Sequence, residues 1–443
     1  MLRCLLRRSA WRPNVDPFSL GGPGFGRAGW PRAFPSGWVL HARQPAVPLA
    51  AARFILPVVA SVNTHPNVSS QGADAVSRRR VSGILPSQQI RTLIADGTLA
   101  ADVAITEAQI QPASLDLRLG SIAYRVRASF LPGAASTVMD KVKALGMHSM
   151  DLTNGAVLER GCVYIVPLQE RVRMGRGLSG AANPKSSTGR LDVFTRLIAD
   201  RTTEFDRVGS GYEGPLYAEI SPKTFSVLVR TGDRLSQLRF RRGNPPTSDS
   251  ELRALNERVP LVHDAEGEAD IDGGVAISVD LMGGDDALLG YRAKHHADLI
   301  DFSKIAHYDP REFWEPIHAH GSDRTLILNP DDFYILASRE RVSVPPGFAA
   351  ELVPFDPLVG EFRVHYAGFF DPGFGYAGVD GQGTKAVLEV RSHDVPFVLE
   401  HGQVVGRLAY ERMTEEPDRL YGAGIGSSYG RQALTLSKHF RKE

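Results

Sequence analysis

The chain repeats itself, and the repeat constrains its fold more than any other feature. Ala113-Ser-Leu-Asp116-Leu-Arg-Leu-Gly120 returns as Ile277-Ser-Val-Asp280-Leu-Met-Gly-Gly284. Leu216-Tyr-Ala-Glu219-Ile returns as Val387-Leu-Glu389-Val, in register on the glutamate. Asp116 and Glu219 stand 103 residues apart, and Asp280 and Glu389 stand 109 apart. A glycine follows each glutamate at 13 residues, Gly232 and Gly402, and opens a similar strand through Leu238 or Leu408. Spacing held at several anchors implies two copies of one unit. The copies occupy residues 80–243 and 262–443, with 244–261 as a linker rich in Pro and Ser.

Within each copy, short runs of β-branched and aromatic residues lie between Gly, Pro and Asp turns, which predicts an all-β sandwich or barrel. Helical periodicity is scarce. Ser87-Gln-Gln-Ile90-Arg-Thr-Leu93-Ile94, closed by Gly97, predicts one short amphipathic helix capped by Ser87. The second copy carries an extra stretch, Lys294–Gly321, in which Pro310 can start one or two helical turns. Its histidines, His295, His296, His307, His318 and His320, match no standard ligand spacing and read as surface or packing residues.

Residues 1–77 read differently. Up to Phe54 there are eight arginines, no lysine and a single acid, Asp16, among many glycines and prolines. Such a segment is expected to be disordered. An Arg-rich, acid-poor start resembles an organelle transit peptide, but the breakers interrupt any helix and favour an upstream extension without function. Gly24-Phe-Gly26-Arg-Ala-Gly29 fits a dinucleotide fingerprint only on paper. No strand precedes it, and Trp30-Pro31 stands where the helix would begin.

Three constellations could carry chemistry. Lys185-Ser186-Ser187-Thr188-Gly189-Arg190 gathers three hydroxyls and two cations in a tight loop suited to phosphate oxygens, or to no more than a polar turn. Glu219 sits in an apolar strand, where a buried carboxylate would have the raised pKa of a general acid/base. Strand alternation also permits it to face solvent. Tyr421 to Gln432, interrupted by glycines, suits either a segment closing over a ligand or a frayed tail.

Composition excludes some classes. Fifty-one basic against 50 acidic side chains give no basic face for nucleic acid. No run of roughly 18 apolar residues predicts a membrane span. Two cysteines, Cys4 and Cys162, supply neither a disulfide framework nor the H-x-E with P-C-x-x-C site of zinc deaminases. A reducing cytoplasm is the expected home.

Together these motifs resemble the dCTP deaminase family and, more distantly, trimeric dUTPase. The resemblance rests on Ala113–Gly120, on Lys185–Arg190 in place of R-S-S-x-x-R, on Gly214–Glu219, and on the Tyr421, Ser428 and Gln432 intervals. The two-copy layout resembles a bacterial double-domain group. What it implies is two tandem dUTPase-like (distorted jelly-roll, β-clip) domains with short helices, assembled as a homotrimer. The implied activity is deamination of dCTP to dUTP and ammonia without a protein-bound metal, Mg2+ arriving with the triphosphate. In that scheme Glu219 shuttles protons, Ser186 and Arg190 hold water and nucleotide, and Lys185, Ser187, Thr188 and Gly189 grip the phosphates. Tyr217 and Ala218 flank the base, and Tyr421 and Gln432 close the site.

The sequence departs from the family pattern in places. Lys185 replaces an arginine, Ser428 a lysine, and Gly209 the aspartate of the turn before the glutamate. The second copy keeps that aspartate, Asp371, but its phosphate loop has become Val353-Pro-Phe-Asp356-Pro-Leu358. The expectation is therefore one composite site, with first-copy chemistry covered by the second copy's tail. A dUTP diphosphatase, a bifunctional enzyme and a non-catalytic nucleotide-binding regulator stand as alternatives.

Overall fold

The computed structural model describes residues 82–442, apart from 244–246, 264–268, 284–286, 320–323, 355–361, 365–367, 377–381, 393–394 and 423–433. Each copy is built from the same two antiparallel sheets. In the first copy one sheet runs Gly83–Ile84, Ser236–Arg242, Leu178–Pro184, Arg207–Val208, with Leu115–Leu117 also on Ser236–Arg242. Its counterpart runs Val275–Ser278, Val404–Arg412, Phe348–Pro354, Phe369–Phe370. The other sheet of the first copy runs Gly146–Asp151, Ile122–Val126, Val163–Arg173, Glu213–Pro222, Val193–Ala199. The matching order in the second copy is Trp314–His318, Leu288–Ala293, Phe333–Val342, Thr384–Ser392, Phe362–Val364. The two glutamate strands, Glu213–Pro222 and Thr384–Ser392, thus hold equivalent interior positions.

Period-two alternation orients those strands. Leu216, Ala218 and Ile220 point into the first core, and Leu388 and Val390 point into the second. Tyr217 and Glu219, or Val387 and Glu389, lie on the opposite faces. What covers those faces differs. In the first copy the helix Val138–Leu145 folds down with Val138 and Val142 against Tyr217, Ile165 and Ile198. In the second copy the corresponding face receives the first copy.

The copies are joined by more than a linker. Val227–Val229 pairs in parallel with Ile300–Asp301 across the boundary. The Thr414 amide donates to the Ile84 carbonyl at 2.9 Å. The first core continues through Phe302, Phe313, Trp314 and Phe440 of the second copy. Burial shared this way makes the two copies one cooperative body.

Two details correct the sequence reading. The segment 244–261 is not all linker: Asp249–Arg258 is a helix with Leu252 and Leu255 buried in the second core. Its start carries a capping box, Ser248 accepting from the Glu251 amide while Glu251 accepts from that of Ser248. Ser87 is not a cap either. Pro86 holds that position, and the Ser87 hydroxyl reaches Asp418 of the second copy. The turn expected from Pro310 is present as Pro310–Phe313.

Candidate active site

The loop Lys185–Arg190 folds as a single helical turn over Ser186–Gly189, with Lys185 before it and Arg190 closing it. It lies where the two copies meet. A cavity of about 80 Å³ opens beside it, walled by Lys185, Ser186 and Arg190 from the first copy and Val387, Glu389 and Tyr421 from the second. A larger space of about 570 Å³ adjoins it, sharing Lys185, Ser186, Phe369, Asp371 and Tyr421 and adding Ser187.

Glu389 is the carboxylate of this site. It is 8% exposed and backs against the loop so closely that a β-carbon at Gly189 would stand 2.7 Å from its carboxyl carbon. Burial pushes the Glu389 carboxyl well above the usual carboxylate range. Arg190 pulls it back, and Asp192 pushes it further up. Arg190 is itself steered by the second copy, its Nη1 donating to the Thr435 carbonyl at 2.6 Å.

A second acid lines both cavities. Asp371, in the turn after Phe369–Phe370, faces the Arg239 guanidinium at 3.3 Å, and burial raises its pKa against the pull of that cation. Arg239 is 1% exposed, stacks over the Phe369 ring at 4.0 Å and donates to the Ala350 carbonyl at 3.0 Å. Phe370, Phe374 and Tyr421 form an aromatic run with centroid spacings of 4.9 and 5.5 Å. Such rings offer a flat apolar surface with a polar tip at the tyrosine.

The sequence-predicted residues therefore divide. Lys185, Ser186, Ser187, Arg190 and Tyr421 gather at the cavities. Thr188 and Gly189 are buried behind the turn and shape it without lining either cavity. Gly209 lies in the turn after Arg207–Val208, away from both, and accepts from the Tyr212 amide. Gln432 falls outside the described residues. Glu219, Tyr217 and Ala218 are not brought to the loop. The Glu219 carboxylate, 1% exposed, is taken up by Arg196 at 2.6 Å. That guanidinium lies over the Phe205 ring at 3.5 Å and also reaches the Ser129 hydroxyl at 2.9 Å. The physical reason is the helix Val138–Leu145, which closes over that face of the strand within its own copy. Among the described residues it is the first copy, not a helix, that meets the equivalent face of the second copy's strand, so Val387 and Glu389 reach the loop where Tyr217 and Glu219 were expected. The signal that could have found them is the repeat, which aligned Glu389 with Glu219.

Comparison with known proteins gives the same partition of the chain. Residues 81–244 match the N-terminal domain, and residues 248–440 the C-terminal domain, of 2'-deoxycytidine 5'-triphosphate deaminase (DCD). A "dCTP deaminase, dUMP-forming" of Corynebacterium jeikeium is 31% identical over 146 residues, 31% of this chain and 73% of that protein. The chain belongs to the dCTP deaminase family. A second relative of the same description, from Beutenbergia cavernae, is 29% identical over 154 residues, 33% of this chain and 77% of its own length. Among solved structures, the 2'-deoxycytidine 5'-triphosphate deaminase from Agrobacterium tumefaciens is 57% identical with a TM-score of 0.72, over 75% of this chain and 100% of that one.

In this dCTP deaminase family chain, Gly189 is required by contact, since its φ lies outside the left-handed region. Gly189→Ala forces the Glu389 carboxyl and the turn apart. Overpacking of this kind costs about 1–3 kcal/mol, and a lowered melting temperature in calorimetry is the expected result. Among the described residues no group of three His, Cys, Asp or Glu side chains could hold a metal. No helix among them is long and apolar enough to cross a membrane.

Proposed function

We propose that this chain deaminates dCTP by hydrolysis at C4 of the cytosine, with Glu389 as the proton shuttle. The observation that carries this reading is the buried Glu389 carboxylate set against the Lys185–Arg190 turn across the boundary between copies. A buried carboxyl whose pKa is raised above its ordinary value can take a proton from water and return it later in the same turnover. Glu389 accepts a proton as water adds to C4 and delivers it to N3. A second transfer, from the new hydroxyl to the amino nitrogen through the same carboxylate, lets ammonia leave and restores the carbonyl. Ser186 and Arg190 flank the water's approach. The base lies along Ala386 and Val387 with Phe370, Phe374 and Tyr421 beyond it, and the phosphates, which would arrive as their Mg2+ complex, extend toward Lys185 and Ser187.

The chemistry in this reading asks nothing of a resident metal, because the buried carboxylate itself activates the attacking water, a task that zinc and a glutamate share in the zinc deaminases. We read each pair of sheets as a dUTPase-like β-clip domain and the assembly as a homotrimer working in the cytoplasm.

Asp371 favours a second reading on the same site. In this reading the acid missing at Gly209 comes from the other copy as Asp371, which lines both cavities. A base there is placed to act on the phosphate chain, so that a bifunctional enzyme would release dUMP and diphosphate. Purified protein given dCTP and dUTP separately, with and without Mg2+, distinguishes these. Ammonia with dUTP as product is the result expected for the first reading. Diphosphate from both nucleotides supports the second, and neither product from either nucleotide leaves only a binding protein.

A further inference from the structure

The larger cavity holds more positive charge than the loop motif accounts for. Lys185, Arg234 and Lys438 converge on it from three separate segments, beside Ser187 and Gln237. Three acids share the space: Asp116 holds Lys185 at 2.5 Å and lies 3.6 Å from Arg234, Asp233 faces the same cavity, and Asp371 is engaged by the buried Arg239 behind it. With Asp371 answered by Arg239, the three cations Lys185, Arg234 and Lys438 gathered on one cavity suit a multiply charged anion.

Lys438 is held there by its neighbours. The Ser437 hydroxyl donates to the Ser187 carbonyl at 2.8 Å and lies 3.0 Å from the buried His439 ring. One residue further back is Leu436, and beyond it the Thr435 carbonyl that receives Arg190. The segment 435–439 of the second copy thus clasps the phosphate-loop turn of the first, and that clasp fixes where Lys438 stands. Burial and the nearby Lys185 and Arg234 charges lower the Lys438 pKa, with Asp116 and Asp233 opposing. An arriving anion would relieve that repulsion.

We propose that Lys438 is a specificity-determining residue that reads the far end of the nucleotide's phosphate chain and so selects triphosphate over monophosphate. This rests on the deaminase reading above. Lys438 lines only the larger cavity, and Glu389 lines only the smaller one. Its contribution is therefore to binding, separate from the proton transfers at the base.

The test is Lys438→Met in the full chain, with Lys438→Arg as the conservative control. Loss of one charge-assisted contact predicts a KM for dCTP raised about 10–100-fold with kcat within about two-fold. Turnover of dCMP, measured alongside, should change by less than about two-fold, and Lys438→Arg should restore most of the dCTP affinity. A dCTP KM that stays at the wild-type value overturns the proposal, as does an equal loss for dCTP and dCMP. Calorimetric binding of both nucleotides separates this from the parent reading. Wild-type protein that binds dCTP more tightly than dCMP, with the difference erased by Lys438→Met, supports Lys438 even where no ammonia is released. Equal wild-type affinity for the two nucleotides overturns it.

Discussion

Glu389→Gln is expected to lower ammonia release from dCTP by about three orders of magnitude while nucleotide binding persists. The amide keeps the shape that fits against Gly189 but cannot carry a proton, and general acid/base catalysis is commonly worth about 10²–10⁴-fold. Glu219→Gln is the contrasting control. The Glu219 Oε1 is held by Arg196 and the side chain lies away from the Lys185–Arg190 turn, so activity per folded molecule should stay within about two-fold. Stability should move in opposite directions in the two variants. Glu219→Gln removes the partner of a largely buried guanidinium and lowers the melting temperature. Glu389→Gln removes a carboxyl that pays for burial with a raised pKa. The sign follows from linkage: the folded state keeps a proton that the unfolded state gives up above about 4.5, the ordinary glutamate value. Wild-type stability therefore falls as pH rises from that value toward the raised one, and the Gln variant should lack this slope and melt higher near neutrality. Wild-type ammonia release by Glu389→Gln, or its loss in a folded Glu219→Gln protein, would return the chemistry to the first copy.

The contrast shows what a linear sequence carries and what it leaves out. The strand placement of both glutamates was legible, because alternation of apolar residues around Glu219 and Glu389 is a local property. The polar turn Lys185–Arg190 was legible for the same reason. Which copy's strand faces that turn was not. That is decided by the helix Val138–Leu145, which seals the Glu219 face, and by parallel pairing of Val227–Val229 with Ile300–Asp301, which brings the second copy onto the first. Neither is a motif. The Asp249–Arg258 helix is masked in the sequence by Pro245 and Pro246, which mark a linker, although Ser248 and Glu251 carry a capping signature three residues apart. The clasp by residues 435–439 depends on packing between segments about 250 positions apart, as the Ser437–Ser187 bond shows. Contacts at that separation leave no periodic trace.

The boundary between copies also predicts the largest stability effect. Arg190 and Glu389 oppose each other at the site, and two residues beyond each, Asp192 and Arg391 form a buried ion pair. Arg391 also donates to the Thr224 hydroxyl at 3.0 Å and to the Asp331 carbonyl at 2.6 Å, while Thr224 donates to Asp192 at 2.6 Å. Charges thus alternate across the junction, so this latch fixes the register in which Glu389 meets Gly189. Arg391→Met keeps most of the volume but takes the Arg391 guanidinium away from the Asp192 charge, which is 1% exposed. Removing one partner of a buried pair costs about 3–5 kcal/mol, so a large drop in unfolding midpoint is expected. Asp192→Asn combined with Arg391→Met removes both charges and should recover a substantial part of that loss, since the stranded charge dominates the single variant's penalty. Denaturant titration of the wild type, both single variants and the double variant checks this directly. Additive losses in the double variant would mean that the two side chains act independently, and that the register of the Glu389 carboxylate is set elsewhere in the junction.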